Sequence, residues 1–207
     1  MNTIKNIIFD LGGVLLDIEF KKTIDAFKKL GIDNFEEMFS KFTADELFKK
    51  LETGHIAETD FYKTLRNRAE KNITNEQIKD AWNSLILDFR IESLAYLERL
   101  APRYQLYLLS NTNSIHLQYF KKLFTLQTAK RSFDDYFKKA WYSNEIGLRK
   151  PGTQIFEFVL HQENLLPGES LFIDDTFANS ETAQKLGFVT HHLLPSENIE
   201  LLEIISV

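Results

Sequence analysis

The chain has 207 residues, of which 43% are hydrophobic and 27% charged, and its formal net charge at pH 7 is −5. These values are typical of a globular protein with one domain, or with one domain that carries an insert. The acidic balance disfavours a nucleic-acid-binding surface, the absence of cysteine excludes disulfides and thiol catalysis, and no apolar run approaches the roughly 18 residues that cross a membrane. No secretory signal is apparent, and we expect a cytoplasmic protein.

The first predicted element is a strand over residues 5–10 that ends in a carboxylate. A buried apolar run stops at Asp10, and two glycines, Gly12 and Gly13, follow closely. In open parallel sheets the strands are buried apolar runs, and ligands bind outside their carboxyl ends. A carboxylate there is costly unless it is paired or bound to a metal, and glycine lets the backbone approach a ligand closely. Asp10 is therefore predicted to lie at the mouth of a site.

Residues 18–89 show a different, helical pattern. Phe20, Ile24 and Phe27 recur at helical spacing, and similar sets continue as far as Leu85. We predict a small bundle of helices inserted after the first strand. Its many phenylalanines are expected to form a core rather than an aromatic binding stripe.

From residue 90 onwards, short apolar strands alternate with helical stretches, which is the pattern of βαβ units in a parallel sheet. Strands are predicted near residues 105–110, 138–142, 170–174 and 188–193, and helices near 113–124, 152–163 and 178–186. Gly187 is expected to end the last helix. The predicted fold class is α/β, with a parallel sheet at its centre.

Polar motifs follow or join these elements in a fixed order. Asp10 ends the first strand, Ser110–Thr112 follows the second, Arg149–Pro151 precedes a helix, and Asp174–Thr176 follows a later strand. An Asp, a Ser, a Lys and an Asp pair in this order resemble the four motifs of the haloacid dehalogenase-like superfamily, from Ile7 to about Val189. Within it, the chain most resembles the bacterial sugar-phosphate phosphatases related to α-D-glucose-1-phosphatase.

The resemblance implies a Rossmann-like core formed by residues 1–17 and 90–207, and an α-helical cap at residues 18–89 that covers the strand ends. It also implies that Asp10 is a nucleophile that forms an aspartyl-phosphate, which splits one displacement into two. Two anions need a cation between them, and Mg²⁺ prefers oxygen ligands. Asp10, Asp175 and the Gly12 carbonyl would bind Mg²⁺, and Asp174 would orient its waters from outside the ligand shell.

The same resemblance assigns the phosphate contacts. The Ser110 hydroxyl and Asn111 would bind phosphate oxygens, and Lys150 would neutralise Asp10 and the transferring phosphoryl group. Taken singly, each motif has an ordinary structural explanation: Ser110–Thr112 as a helix start, the Asp pair as a helix cap, and Lys150 as a solvated side chain. Their order along the chain favours the catalytic interpretation.

Gly12 departs from the general superfamily pattern, in which a second Asp protonates the leaving oxygen and then activates water. Glycine does neither, so good leaving groups are favoured, and a sugar 1-phosphate is a sensible substrate. A cap residue, Glu52 or His55, is an alternative source of the proton because both lie on a polar joint of the insert. The remaining histidines show no metal-ligand spacing and are expected to be structural or exposed.

Three functions remain open at this point. The first is a Mg²⁺-dependent phosphatase acting on a small phosphorylated metabolite, with a sugar phosphate favoured. The second is a metal-independent 2-haloacid dehalogenase that uses the same Asp10, which the Asp174–Asp175 pair disfavours. The third is a non-catalytic scaffold that binds a phospho-ligand, because Gly12 has replaced the acid.

Overall fold

The computed structural model describes residues 3–39, 46–130 and 132–202. In chain order its helices and strands are β1 (Asn6–Phe9), β2 (Leu16–Ile18), α1 (Phe20–Lys29), α2 (Phe35–Met38), α3 (Glu46–Glu52), α4 (Glu58–Arg68), α5 (Asn75–Asn83), β3 (Ile86–Phe89), α6 (Ile91–Leu100), β4 (Gln105–Ser110), α7 (Ser114–Thr128), β5 (Lys139–Tyr142), α8 (Ser143–Ile146), α9 (Thr153–Gln162), β6 (Ser170–Asp174), α10 (Phe177–Lys185) and β7 (Val189–His192). None of these helices combines the length and apolarity needed to cross a membrane.

A five-stranded parallel sheet occupies the centre, in the order β5-β4-β1-β6-β7. Its middle strand, β1, pairs with β4 and β6 so that Phe9 lies opposite Leu108 on one side and Ile173 on the other. The carboxyl ends of these three strands therefore reach one edge of the sheet together. The α/β fold expected from the sequence is confirmed, and each predicted strand is present within a residue of its expected bounds.

The central strand is apolar from Ile7 to Phe9 because both faces of the sheet are covered. Successive side chains of a strand point to opposite faces. Ile7 and Phe9 pack into the hydrophobic cluster on one face, whereas Ile8 packs into the cluster on the other. Because both faces are buried, successive side chains of this run point to opposite faces of the sheet and are nevertheless all apolar.

Helices α1 to α5 lie between β1 and β4 in the chain and share a hydrophobic cluster of their own. Trp82 lies at its centre, in ring contact with Phe27, Phe35, Phe48 and Phe61. The expectation that these phenylalanines form a core is confirmed for the four, which are fully buried. Residues 40–45, including Phe42, lie outside the described residues. The boundaries of a cap at residues 18–89 stay a prediction.

A two-stranded antiparallel ribbon, β2 with β3, lies where the helical insert joins the sheet domain. Leu16 pairs with Phe89 and Ile18 with Ile86, and the Arg90 N–H donates to the Leu15 carbonyl at 2.9 Å. Residues 86–89 were expected to belong to the helical segment, and this expectation is wrong because they form a strand. A short apolar run fits a helix or a strand equally well, and here pairing with a strand about 70 residues earlier decides its structure.

The helical connections follow the predicted pattern closely. Helix α10 ends at Lys185, and Gly187 follows it as expected. The Gly187 N–H donates to the Gln184 carbonyl at 2.9 Å and the Phe188 N–H to the Ala183 carbonyl at 3.1 Å. These two bonds satisfy carbonyls that the end of a helix leaves free.

The aromatic cluster of the insert should dominate the stability of that segment. Phe35 stacks on Phe27 at 4.0 Å between ring centroids. We expect Phe35→Ala to lower the free energy of unfolding by about 3–5 kcal/mol, because it leaves a cavity in a packed core. Phe177→Ala is the matched control, since that ring is 63% exposed, and it should change stability by less than about 0.5 kcal/mol. Equal losses in urea denaturation would contradict this assignment.

Candidate active site

Asp10 lies directly after the central strand, at the edge of the sheet where three strands end. Its N–H continues the sheet ladder and donates to the Ile173 carbonyl at 2.9 Å. Asp10 is buried, as are Ser110 at the end of β4 and Asp174 at the end of β6. The parallel register therefore brings three residues of separate sequence motifs to one level.

Lys150 joins two of these strand ends. Its ammonium Nζ lies 2.8 Å from Asp10 Oδ1 and 2.6 Å from Asp174 Oδ2, and the residue is only 1% exposed. A buried ammonium is tolerated when its charge is paired and its hydrogens are bonded. Burial alone would lower the pKa of Lys150, but the two carboxylates outweigh burial and raise that pKa above its ordinary value. Lys150 is therefore charged, and the alternative of a solvated lysine is excluded.

Asn111 holds the backbone of Lys150 in place. Its side-chain Oδ1 accepts from the Lys150 N–H at 2.9 Å, and its Nδ2 donates to the Lys150 carbonyl at 2.9 Å. The sequence predicted a phosphate contact for Asn111 and gave no sign of this role. A pair of side-chain-to-backbone bonds between residues 39 positions apart leaves no local pattern in a sequence.

The two adjacent aspartates have different environments. Asp174 is fully buried, and its oxygens accept from the Thr176 N–H at 2.8 Å, from Asn179 Nδ2 at 3.0 Å and from Lys150. Asp175 is only partly buried and lines the cavity in front of the strand ends. Because protein donors already engage both oxygens of Asp174, this geometry supports Asp175 as the direct metal ligand and Asp174 as the supporting residue.

The three carboxylates form a cluster suited to a divalent cation. Oxygens of Asp10, Asp174 and Asp175 all lie within 4.8 Å of one another. Lys150 supplies one ammonium to this cluster, through its contacts with Asp10 and Asp174. Burial, together with these neighbouring carboxylates, raises the pKa of Asp10 to about 7 despite the opposing effect of Lys150. An all-oxygen donor set fits Mg²⁺.

The glycines after Asp10 are needed for different reasons. A Cβ at Gly13, whose φ is +75°, would lie 2.7 Å from Asp175 Oδ2, so only glycine lets the first and last motifs approach this closely. A Cβ at Gly12 would lie 3.1 Å from Ile18 Cδ1. Ile18 of β2 therefore covers the position at which a second acid would project.

The segment after β4 begins helix α7. Asn113 caps this helix, and its Oδ1 accepts from the N–H groups of Ile115 and His116, both at 3.1 Å. The helix start predicted near residue 113 is confirmed. These two N–H groups are engaged within the protein, so phosphate binding here would depend on Ser110 and the backbone immediately after it.

A cavity of about 270 Å³ opens in front of the strand ends. Its walls come from both the core and the helical insert: Asp10, Gly12, Ile18, Phe20, Phe39, Lys49, Glu52, Asn111, Arg149, Lys150, Pro151, Asp175, Thr176, Ala178 and Asn179. A smaller apolar cavity of about 120 Å³ adjoins it, and Ser110 lines that one.

Of the two insert residues suggested as proton donors, the structure brings only Glu52 to the cavity. His55 is exposed, and its Nδ1 lies 2.6 Å from the Thr53 hydroxyl. His116 is buried, and its Nε2 lies 3.0 Å from the Trp82 carbonyl. Burial lowers the pKa of His116 to about 4, so it is neutral near pH 7 and has the structural role expected for it.

Comparison with known proteins agrees with this geometry. Residues 4–187 match the haloacid dehalogenase-like hydrolase family. The chain belongs to this family. It is 33% identical over 187 residues to the D-ribitol-5-phosphate phosphatase of Bacteroides thetaiotaomicron. The aligned region covers 90% of each chain.

Solved structures of the haloacid dehalogenase-like family extend the comparison. A variant of a family enzyme from Bacteroides thetaiotaomicron, in complex with magnesium and inorganic phosphate, superimposes with a TM-score of 0.88 and 36% identity. The match covers 94% of this chain and 96% of that one. A family hydrolase from Porphyromonas gingivalis also gives a TM-score of 0.88, with 34% identity and coverage of 99% and 97%.

The raised pKa of Asp10 predicts a pH dependence of stability in the metal-free protein. A carboxyl that holds its proton more tightly when folded loses stability as the pH rises from about 4 to about 7. Asn mimics the protonated form, so the stability of Asp10→Asn relative to wild type should rise over this interval and level off above it. Urea denaturation at each pH measures the difference.

A control carboxyl should show the opposite sign. The hydrogen bond from Lys21 lowers the pKa of exposed Asp25, so Asp25→Asn should lose relative stability as the pH rises toward the ordinary carboxyl pKa. A flat difference for Asp10→Asn between pH 4 and pH 7 would show that Asp10 ionises normally in the folded protein.

Proposed function

We propose that the protein is a Mg²⁺-dependent phosphatase that hydrolyses a small phosphorylated sugar or sugar alcohol through an aspartyl-phosphate on Asp10. The observation that carries this proposal is the buried Lys150 ammonium in contact with both Asp10 and Asp174, which form a carboxylate cluster with Asp175. The similar D-ribitol-5-phosphate phosphatase and the similar structure with magnesium and phosphate support it.

The residues would divide the reaction as follows. Asp10 attacks phosphorus, and the bond to the leaving oxygen breaks. Lys150 and Ser110 bind the phosphoryl oxygens, and Asn111 holds Lys150 in position. Asp10, Asp175 and the Gly12 carbonyl would hold Mg²⁺, whose charge allows the anionic nucleophile and the phosphate to approach. Water then attacks the aspartyl-phosphate and regenerates Asp10.

The cavity supports a small, hydroxylated substrate. At about 270 Å³ it lies at the small end of ligand pockets. Lys49, Glu52 and Arg149 provide hydrogen-bonding groups on its wall, while Phe20 and Phe39 provide apolar surface for carbon–hydrogen faces. The sequence analysis favoured a sugar 1-phosphate. Ribitol 5-phosphate, the substrate named for the similar enzyme, is instead an ester of a primary alcohol, so we extend the proposal to sugar-alcohol phosphates.

The two alternatives are less well supported by the described site. The metal-independent dehalogenase does not explain why oxygens of Asp10, Asp174 and Asp175 are clustered as in a cation site. The non-catalytic scaffold rests on the glycine at position 12, but Glu52 supplies another carboxyl to the same cavity. Each alternative predicts a different result from the phosphatase in an activity assay.

A screen of phosphate esters with and without EDTA tests the proposed function. We expect hydrolysis that EDTA abolishes and Mg²⁺ restores, and we expect Asp10→Asn to lose essentially all turnover with its fold intact, because an amide is no nucleophile for phosphorus. A melting curve checks the fold. Release of halide from a 2-haloacid in EDTA would instead support the dehalogenase, and phosphate binding without turnover would support the scaffold.

The different environments of Asp175 and Asp174 predict different defects in Mg²⁺ binding. Asp175→Asn should weaken Mg²⁺ binding with little effect on the melting temperature, because Asp175 lies on the cavity wall. Asp174→Asn should lower the melting temperature, because it removes a charged partner of buried Lys150. Calorimetric titration and melting curves of both variants measure the two effects. Equal Mg²⁺ affinities with equal stabilities would contradict the assignment.

A further inference from the structure

Residue 12 leaves the proposed reaction without a proton donor. An ester of a primary alcohol has a poor leaving group, and its departure depends on protonation of the leaving oxygen. Gly12 has no side chain, and Ile18 Cδ1 lies 3.1 Å from the position of a Cβ there. The acid must therefore come from another wall of the cavity.

Few described residues around the cavity are able to exchange a proton near neutral pH. Its carboxyls are Asp10, Asp175 and Glu52, and none of the described histidines lines it. His116 lines the smaller adjoining cavity, but burial lowers its pKa to about 4 and its Nε2 lies 3.0 Å from the Trp82 carbonyl. Asp10 is the proposed nucleophile and Asp175 the proposed metal ligand. Glu52 is the remaining carboxyl, and it lies on the part of the cavity wall that the insert forms.

The position of Glu52 is held by contacts between the insert and the core. Glu52 is the last residue of α3, and its Oε2 accepts from Arg149 Nε at 2.9 Å. Two residues later, a Cβ at Gly54 would lie 2.3 Å from the Asn144 carbonyl oxygen, so glycine alone permits this close approach. Arg149 directly precedes Lys150, so Glu52 is tied to the same loop that supplies the phosphate-binding cation.

We propose that Glu52 is the catalytic acid and base of this enzyme, in place of the acid missing at position 12. The inference rests on the proposed phosphatase function. In the first step protonated Glu52 gives its proton to the leaving oxygen as the phosphorus–oxygen bond breaks and the Asp10–phosphorus bond forms. In the second step the Glu52 carboxylate takes a proton from water as the water oxygen bonds to phosphorus and Asp10 departs. Glu52 ends protonated, ready for the next substrate.

The charges around Glu52 suit both halves of this cycle. Partial burial, with the side chain 22% exposed, raises the pKa of Glu52 above its ordinary value despite the opposing effect of Arg149. The protonated form is therefore more populated near neutral pH than for a solvated glutamate. After proton donation, Arg149 stabilises the carboxylate. The other charged groups lining the cavity are Lys49, Lys150, Asp10 and Asp175.

Replacement of Glu52 by its amide separates catalysis from shape. Glu52→Gln keeps an oxygen for Arg149 but has no proton to give. We expect kcat/KM for ribitol 5-phosphate and glycerol phosphate to fall about 10²–10⁴-fold, the usual contribution of general acid catalysis. For 4-nitrophenyl phosphate, whose leaving group departs without protonation, kcat/KM should change little. Glu46→Gln is the matched control, since Glu46 lies on the same helix and is exposed.

The second step gives a readout that does not depend on steady-state turnover. Without a base, the aspartyl-phosphate of Glu52→Gln should persist, so mixing with 4-nitrophenyl phosphate should release a burst of nitrophenolate equal to the enzyme concentration. Mass spectrometry of the quenched protein should then find the added phosphoryl group on Asp10. Wild type and Glu46→Gln should give a smaller burst and retain less of the phosphoryl group on Asp10.

Different outcomes would contradict the proposed phosphatase function and the proposed role of Glu52. If wild type hydrolyses none of the esters, the proposed function is wrong. If wild type is active but Glu52→Gln slows alkyl and aryl esters equally and gives no burst, Glu52 has only a structural role. If Glu52→Gln does not fold, Glu52→Ala decides. A selective loss of activity on the alkyl esters supports Glu52 as the acid, and equal losses on alkyl and aryl esters contradict it.

Discussion

The buried ion pairs of Lys150 are the constraint on which the rest of the site depends. An ammonium that is 1% exposed requires paired carboxylates, and these come from the ends of β1 and β6. The parallel register of the two strands sets the separation of Asp10 and Asp174. Asn111, at the end of the neighbouring strand, fixes the backbone of Lys150 through two hydrogen bonds. Four separate segments of the chain are therefore held together around the Lys150 ammonium.

The carboxylate cluster around Lys150 also affects the ionisation of Asp10. Burial, together with the neighbouring carboxylates, raises the pKa of Asp10, so without a cation the ionised carboxylate lowers stability at neutral pH. A bound divalent cation would favour the ionised form of Asp10, which is the form that the proposed attack on phosphorus requires. Stability and reactivity of the strand ends therefore depend on the same electrostatic balance.

The helical insert forms part of the cavity wall, and in the proposed reaction it also supplies the acid. Its own aromatic core positions helix α3, and Trp82 of that core donates from Nε1 to the Asn113 side chain at 3.3 Å, at the start of α7. The Glu52–Arg149 pair joins the insert to the loop of Lys150. Ile18 lies against the position that a side chain at Gly12 would occupy, and the proposed carboxyl comes instead from the insert.

The sequence by itself determined the α/β class, the order of the parallel strands along the chain and the residues that lie at their ends. It did so because buried strands and amphipathic helices have distinct periods and because Asp10, Ser110 and Asp174 directly end apolar runs or follow them. Only the tertiary structure decided the β2–β3 ribbon, the Asn111–Lys150 backbone bonds, and the choice of Glu52 over His55 at the cavity. Each of these depends on contacts between segments that are distant in the chain, and local sequence patterns do not predict such contacts.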